Sequence, residues 1–314
     1  MPLAKAPRWC IGCFSIIVCL MTACAGGGKP DSLYPTESQG LHRYAQAMGF
    51  YEQGCYTRAL REFLAAHELF SAGDDQRSVA MCLNSIANCY RFAGDTPSAL
   101  LFFDDSIRIY DRLQIPNEQI RVLANRAAAL VAVMRLDEAA TSLDQATTLA
   151  GDSPLPVTLL STRGVLLTRQ GAYQEAEESI RQAIVRAEPD NLTEIATAQA
   201  AMGNLMAASQ RPAEALSHFS LALAADRKKG FFRGMADDLA ALAVVHEQMN
   251  QPRQAVDCYR RSIKIYALLG EAKQAMQLMP ALEAAARLSG ENLDVTRHFV
   301  QQWLAGDAVE GICR

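Results

Sequence analysis

Small and large apolar residues recur along this chain in one fixed arrangement. The stretches "SIANCYRFAGDTPSALLFFDDSI" (85–107) and "TRGVLLTRQGAYQEAEESIRQAI" (162–184) each place a small residue, an apolar one three later, then a turn. An alanine follows twelve after the first small residue, and a large apolar residue four after that. Six copies fit. Their first small residues are Ala47, Ala87, Ala127, Gly164, Gly203 and Ala243. Their anchors are Ala59, Ala99, Ala139, Ala176, Ala215 and Ala255. Four beyond stand Phe63, Phe103, Leu143, Ile180, Phe219 and Tyr259, and three beyond those Ala66, Ser106, Ala146, Ala183, Ala222 and Ser262.

Spacings of three and four place residues on one face of a helix. The pattern therefore predicts paired antiparallel helices, with small residues letting the axes approach and the large residue filling the space beside them. The turns agree. Gly54, Gly94 and Gly171 stand where the first helix should end. Pro97, Pro212 and Pro252 stand in the first turn of the second, where proline is tolerated.

In these residues the chain resembles the tetratricopeptide repeat family. That family's pattern has small residues at its eighth, twentieth and twenty-seventh positions and an aromatic at its twenty-fourth. The anchors are spaced 40, 40, 37, 39 and 40 residues, longer than the basic 34-residue unit. The extra length falls between units, as in "SAGDDQRSV" and "RKKGFFRGM". This is similar to the long repeats of kinesin light chains. The resemblance implies an all-α fold, a right-handed superhelical solenoid of helix-turn-helix repeats over 41–270. Residues 271–314 read as capping helices and a tail; Pro280 stands inside the first of them.

The N-terminal segment reads as an address. Residues 1–8 carry Lys5 and Arg8 and no acid, and residues 9–23 carry no charge. Fifteen positions are too few to span a membrane, whereas a basic start and a short apolar run fit an export signal. "Met21-Thr22-Ala23-Cys24" resembles the lipobox of bacterial lipoproteins. The resemblance implies cleavage after residue 23 and a lipid on Cys24, and Ala25 favours the outer membrane of a Gram-negative envelope, facing the periplasm. Residues 24–40, rich in Gly, Pro and Ser, read as a lipidated cysteine and its tether. "GGGK" is not a phosphate loop, because Pro30 stands where Ser or Thr would bind Mg²⁺.

Removing Lys5 and Arg8 with the signal takes the formal charge from −4 to −6, which argues against a nucleic-acid footprint. Five cysteines remain: Cys55, Cys82, Cys89, Cys258 and Cys313. The odd count leaves at least one unpaired. Cys82 and Cys89, two helical turns apart, are too distant to bridge.

The sequence shows no HExxH and no GxSxG, and its one CxxC (Cys10, Cys13) lies in the signal. The reading is a protein without catalytic residues, metal or cofactor. His246 takes an apolar position of the repeat and reads as packed. The run "DRKKGFFRG" (226–234) reads either as a contact for an acidic or lipid surface, or as an inter-repeat loop with a phenylalanine turned inward.

The family resemblance implies that the first helix of each pair lines the concave face. Its groove positions are Asn84, Asn88 and Arg91 in the second copy and Arg121 and Asn125 in the third. Carboxamides there can pair with the N–H and C=O of an extended peptide, and arginine with a carboxylate. The chaperone-type carboxylate clamp matches only in part, since that clamp has lysine where Asn84 stands. Later groove positions are drier: Ala200, Ala207, Ala240 and Val244, with Asn204 the exception. The expected role is an envelope scaffold binding a protein or peptide partner. The alternatives are a small-ligand or glycan receptor, or a pilotin-like accessory factor.

Overall fold

The structure, a computed structural model, describes residues 35–307 and 312–313. The proposed export segment, with Cys24, lies outside the described residues. Among the described residues there are fourteen α-helices and no strand. The six copies are the pairs α1 (Pro35–Gln53) and α2 (Tyr56–Ala72), α3 (Gln76–Ala93) and α4 (Thr96–Arg112), α5 (Pro116–Ala132) and α6 (Leu136–Ala150), α7 (Val157–Gln170) and α8 (Tyr173–Arg186), α9 (Leu192–Ala208) and α10 (Pro212–Lys229), and α11 (Phe232–Gln248) and α12 (Pro252–Leu269). The expected cap is α13 (Ala272–Ser289) and α14 (Asp294–Leu304), and Pro280 sits inside α13. The helices stack into a right-handed superhelical solenoid.

The repeat positions form the core. All six anchor alanines are fully buried, and the large residue beside each is at most 2% exposed. The small residues are required by contact. A Cβ on Gly164 would stand 2.2 Å from Ile180 Cγ1, and one on Gly203 2.9 Å from the Phe219 ring. In the second and sixth copies the last small position is serine. The hydroxyls of Ser106 and Ser262 donate to the carbonyls of Ala80 and Ala236 at 2.8 and 2.7 Å, so neither polar atom is left unpaired.

The turns explain where the glycine signal lapses. Gly54, Gly94 and Gly171 all have positive φ. The equivalent residues of the third, fifth and sixth copies are Met134, Gln210 and Asn250, and their φ angles are 61°, 60° and 55°. The backbone keeps the left-handed turn without the residue that adopts it most easily. Helix α1 begins at Pro35, inside the stretch read as tether. Proline suits a first helical position, and the helix docks closely: a Cβ on Gly40 would stand 2.8 Å from the Phe70 ring.

Curvature follows from which helices touch. First helices of successive copies pack on one another, α3 on α5, α5 on α7 and α7 on α9. The second helices α2, α4, α6, α8 and α10 pack instead on their own partners and on the next first helix, and α12 also meets the following second helix, α14. The crowded side is the concave one, so the first helices line it.

The solenoid also closes on itself. The α1–α2 turn and the end of α3 meet the α10–α11 turn and the start of α13. Glu52 pairs with Lys229 at 3.5 Å. Phe231 packs on the aromatic cluster of the first copy, built on Tyr56 and Phe63. Arg233 lies 6.0 Å from the centroid of Phe92, whose other contacts include Tyr56, stacked at 4.5 Å. Lys273 approaches Gly94, at the carbonyl end of α3, where a cation is favoured. The run 226–234 is therefore a joint between turns of the superhelix, with Phe231 inward. Cys55 and Cys313, 258 positions apart, form a disulfide. Cys82, Cys89 and Cys258 stay free and buried, and burial pushes the first two thiols up to about 12.

Candidate functional site

The helical spacing of α3 sets Asn84, Asn88 and Arg91 in one row, and α5 brings Asn125 beside it. The four side chains are joined. Asn125 Nδ2 donates to Asn84 Oδ1 at 3.1 Å. Asn88 Nδ2 donates to the Asn84 carbonyl at 3.0 Å, and Arg91 Nε donates to Asn88 Oδ1 at 3.1 Å. Arg91 Cζ lies 4.0 Å from the centroid of Phe92, within cation–π range. The ladder thus runs from α5 along α3 to the ring that Arg233 also faces.

Tyrosines of α1 back the ladder. Tyr44 and Ser85 share a hydrogen bond of 3.0 Å, and burial raises the Tyr44 hydroxyl despite it. Burial pushes Tyr51 up to about 12, with Arg91 pulling the other way. Both phenols stay neutral near pH 7; the Ser85 hydroxyl donates to the Met81 carbonyl, which leaves its oxygen to accept from Tyr44. Arg121 stands apart from the ladder: it is exposed and pairs with Glu118 one turn before it. Asn88 departs from the sequence reading. It is only 6% exposed, because both halves of its amide are spent inside the ladder. Asn84, Asn125 and Arg91 are half-buried and Arg121 is exposed.

The later concave positions are more open. Val244 is 43% exposed, and Ala200, Ala207 and Ala240 are partly exposed. Asn204 turns its amide back to the Ala200 carbonyl at 2.9 Å. His246 is half-buried and bonded to Gln251 at 2.7 Å, a packed residue as read. On the outer face, adjoining clefts of about 480 and 610 Å³ lie between α4 and α6, floored by Gln119 and Leu123. Among the described residues no group of three or more metal-ligating side chains comes together, and no helix is long and apolar enough to cross a membrane.

The tetratricopeptide repeat model matches residues 40–112 and 194–267, which are the first two and last two of the six copies. No curated protein matches the sequence. Among solved structures, the chain is similar to a Rap protein complexed with Competence and Sporulation Factor. The TM-score is 0.56 at 15% identity, over 86% of this chain and 76% of that one. It is similar also to the Rap conjugation gene regulator of the plasmid pLS20 in complex with the Phr* peptide. There the TM-score is 0.55 at 14% identity, over 92% and 80%. A third is the APC/C hetero-tetramer Cut9–Hcn1, with TM-score 0.54 at 16% identity over 81% of this chain. The chain spans 43% of the length of that last neighbour. With the six buried copies, the family-model match makes the chain a tetratricopeptide repeat protein; the solved structures share its fold.

Proposed function

We propose that this protein is a noncatalytic scaffold of the bacterial cell envelope that binds an extended peptide segment of a partner protein along the Asn84–Asn125 side of its concave face. The single observation that carries this reading is the ladder. Asn84, Asn125 and Arg91, each half-buried, line one row and are held in place by one another and by the buried Asn88, as a preorganised binding surface requires. An open row fits an extended chain, whereas a small ligand or glycan needs an enclosed pocket; the clefts of the outer face lie elsewhere. Of the solved structures similar in fold, one is a complex with the Phr* peptide and another a complex with Competence and Sporulation Factor. Export and a lipid on Cys24 are part of the same reading. They are supported by the lipobox-like "MTAC" and by the Cys55–Cys313 disulfide, since disulfides persist in oxidising compartments.

The test begins with crosslinking in intact cells and mass spectrometry of the captured partner. Synthetic peptides from that partner are then titrated against the wild-type chain, Asn125→Ala and Arg121→Ala. Both residues can be truncated without opening the core. A loss of about 1–3 kcal/mol is expected where a polar contact is left unpaired. Unchanged affinity in both variants would move the site off this face, and a glycan bound tightly with no captured protein would favour the receptor. Labelled palmitate should enter the wild type and not Cys24→Ala; equal labelling would remove the anchor from the proposal.

A further inference from the structure

We infer that the Cys55–Cys313 disulfide is a redox-controlled latch that keeps the superhelix closed. Cys55 caps the start of α2 in the first copy, and Cys313 lies beyond the last helix. The bond therefore ties the two ends of the solenoid together across 258 positions. What else holds the ends is slight. The helix-to-helix packing joins neighbours along the stack. The contacts across the closure are turns and single side chains: Glu52 with Lys229, Gly54 against Arg233, Phe231 on the first-copy cluster, Arg233 towards Phe92, and Lys273 at Gly94. The Glu52–Lys229 pair is half-exposed on the Glu52 side, and such pairs hold little. In a solenoid each unit rests on its neighbours alone, so a contact between distant copies needs its own fastening.

The chemistry is thiol–disulfide exchange with a dithiol donor. Cys55 is 2% exposed and Cys313 is partly exposed, so the donor's thiolate reaches Cys313 Sγ. A bond forms between donor sulfur and Cys313 Sγ, and the Cys55–Cys313 bond breaks. The electron pair leaves on Cys55 Sγ, which takes a proton. The donor's second thiolate then breaks the mixed disulfide and frees Cys313, which also takes a proton. Two cysteines are reduced, and the donor's dithiol is oxidised to a disulfide. Cys82, Cys89 and Cys258 are buried and leave this bond as the one the donor addresses among the described cysteines. Opening the latch releases Arg233 from Phe92, the ring on which Arg91 of the ladder lies.

Hydrogen exchange on the full-length protein tests this without a partner. Peptides covering the turns at 50–56 and 226–234 are followed with and without a phosphine reductant. Alkylation and mass measurement check the state of each cysteine. Reduction should speed exchange at both turns at least tenfold and leave α5–α9 unchanged. Cys313→Ser should show the fast rates without reductant and ignore its addition, while Cys82→Ser should behave as wild type. Cys313 lies in the tail, so this variant serves even if Cys55→Ser fails to fold. Identical rates in oxidised and fully reduced protein would overturn the latch. So would a speeding spread evenly over all helices, or Cys55 and Cys313 found alkylated without reductant.

Discussion

Gly54 of the first copy lies against Arg233 of the sixth: a Cβ added to Gly54 would stand 2.8 Å from Arg233 Cβ and 3.3 Å from its backbone nitrogen. The same glycine ends α1 with a φ of +85°. One residue thus serves a local turn and a contact between successive turns of the superhelix.

The two roles separate by comparison with Gly94. That residue has nearly the same φ, +81°, but an added Cβ would meet only Lys273 Nζ, at 3.6 Å. Gly94→Ala should carry only the left-handed strain, about 1–2 kcal/mol. Gly54→Ala should cost about 1–3 kcal/mol more, the range for forcing an extra carbon into a packed contact. Urea titration measures the difference, and hydrogen exchange at 226–234 should quicken in Gly54→Ala alone. Equal costs and equal exchange would mean that the closure yields freely.

This relationship shows where sequence reasoning stops. The pairs, their order and the buried face were legible because each copy repeats the same contacts at fixed short spacing, so Ala99 and Phe103 could be found from Ala87. The row of Asn84, Asn88 and Arg91 was legible for the same reason, since the three share a helical face; the bonds that join them were not. That Asn88 would be spent inside the ladder was not legible either, because spacing sets it on that face but does not show that its amide turns to the Asn84 carbonyl and Arg91 Nε of its own helix. The closure was hidden altogether. The Gly54–Arg233 and Cys55–Cys313 contacts depend on the pitch of the whole superhelix, which accumulates small rotations that no single repeat displays. Three of the six turns were also dim, as Met134, Gln210 and Asn250 hold the left-handed conformation where Gly54, Gly94 and Gly171 announce it.

Gly164 tests the close approach of the paired helices. Its added Cβ would stand 2.2 Å from Ile180 Cγ1 and 3.3 Å from the Ala176 carbonyl. Alanine is the better helix former by about 1 kcal/mol. Gly164→Ala should nonetheless destabilise by about 1–3 kcal/mol, because overpacking outweighs propensity here. Adding Ile180→Val, which trims the Ile180 Cδ1 methyl, should recover part of the loss. A stabilised Gly164→Ala protein would show that α7 and α8 can move apart.

Met134 offers a gain. It is 58% exposed and sits at φ 61°, in a turn where three other copies carry glycine. Met134→Gly removes about 1–2 kcal/mol of left-handed strain and returns about 0.4–1 kcal/mol through the freer unfolded chain. The expected result is a stabilisation of up to about 1.6 kcal/mol, about 0.8 kcal/mol at the middle of both ranges, read as a higher urea midpoint with an unchanged slope. A lower midpoint would mean that the methionine side chain contributes packing that its exposure conceals.

The last prediction concerns pH. Asp226 at the end of α10 and Asp238 in α11 are both 5% exposed. The Asp226 carboxyl occupies the space left by Gly234, where a Cβ would meet Oδ2 at 1.7 Å. Asp238 Oδ2 has no hydrogen-bond partner. Burial is the chief cause that raises both groups, Asp226 to about 7 and Asp238 to about 8. Neighbouring carboxylates add to it, Asp237 for the first and Asp226 with Asp237 for the second, while Lys229 pulls Asp226 down. The direction is opposite to that of an ion-paired aspartate. In the unfolded chain these groups ionise near about 4, so the folded state holds protons that the unfolded state has lost. Their stabilisation is full below about pH 4 and is lost as pH rises through about 7–8. Burial lowers His218, which acts the other way below its unfolded value of about 6.5. The fall is therefore read between pH 6.5 and 8.5. Thermal unfolding should show Tm dropping across that range in the wild type. Asp238→Asn, neutral at every pH, should flatten the drop and be the more stable protein at pH 8.5. A wild-type Tm that stays level, with Asp238→Asn no more stable at pH 8.5, would show that the two carboxyls are ionised and solvated in the folded protein.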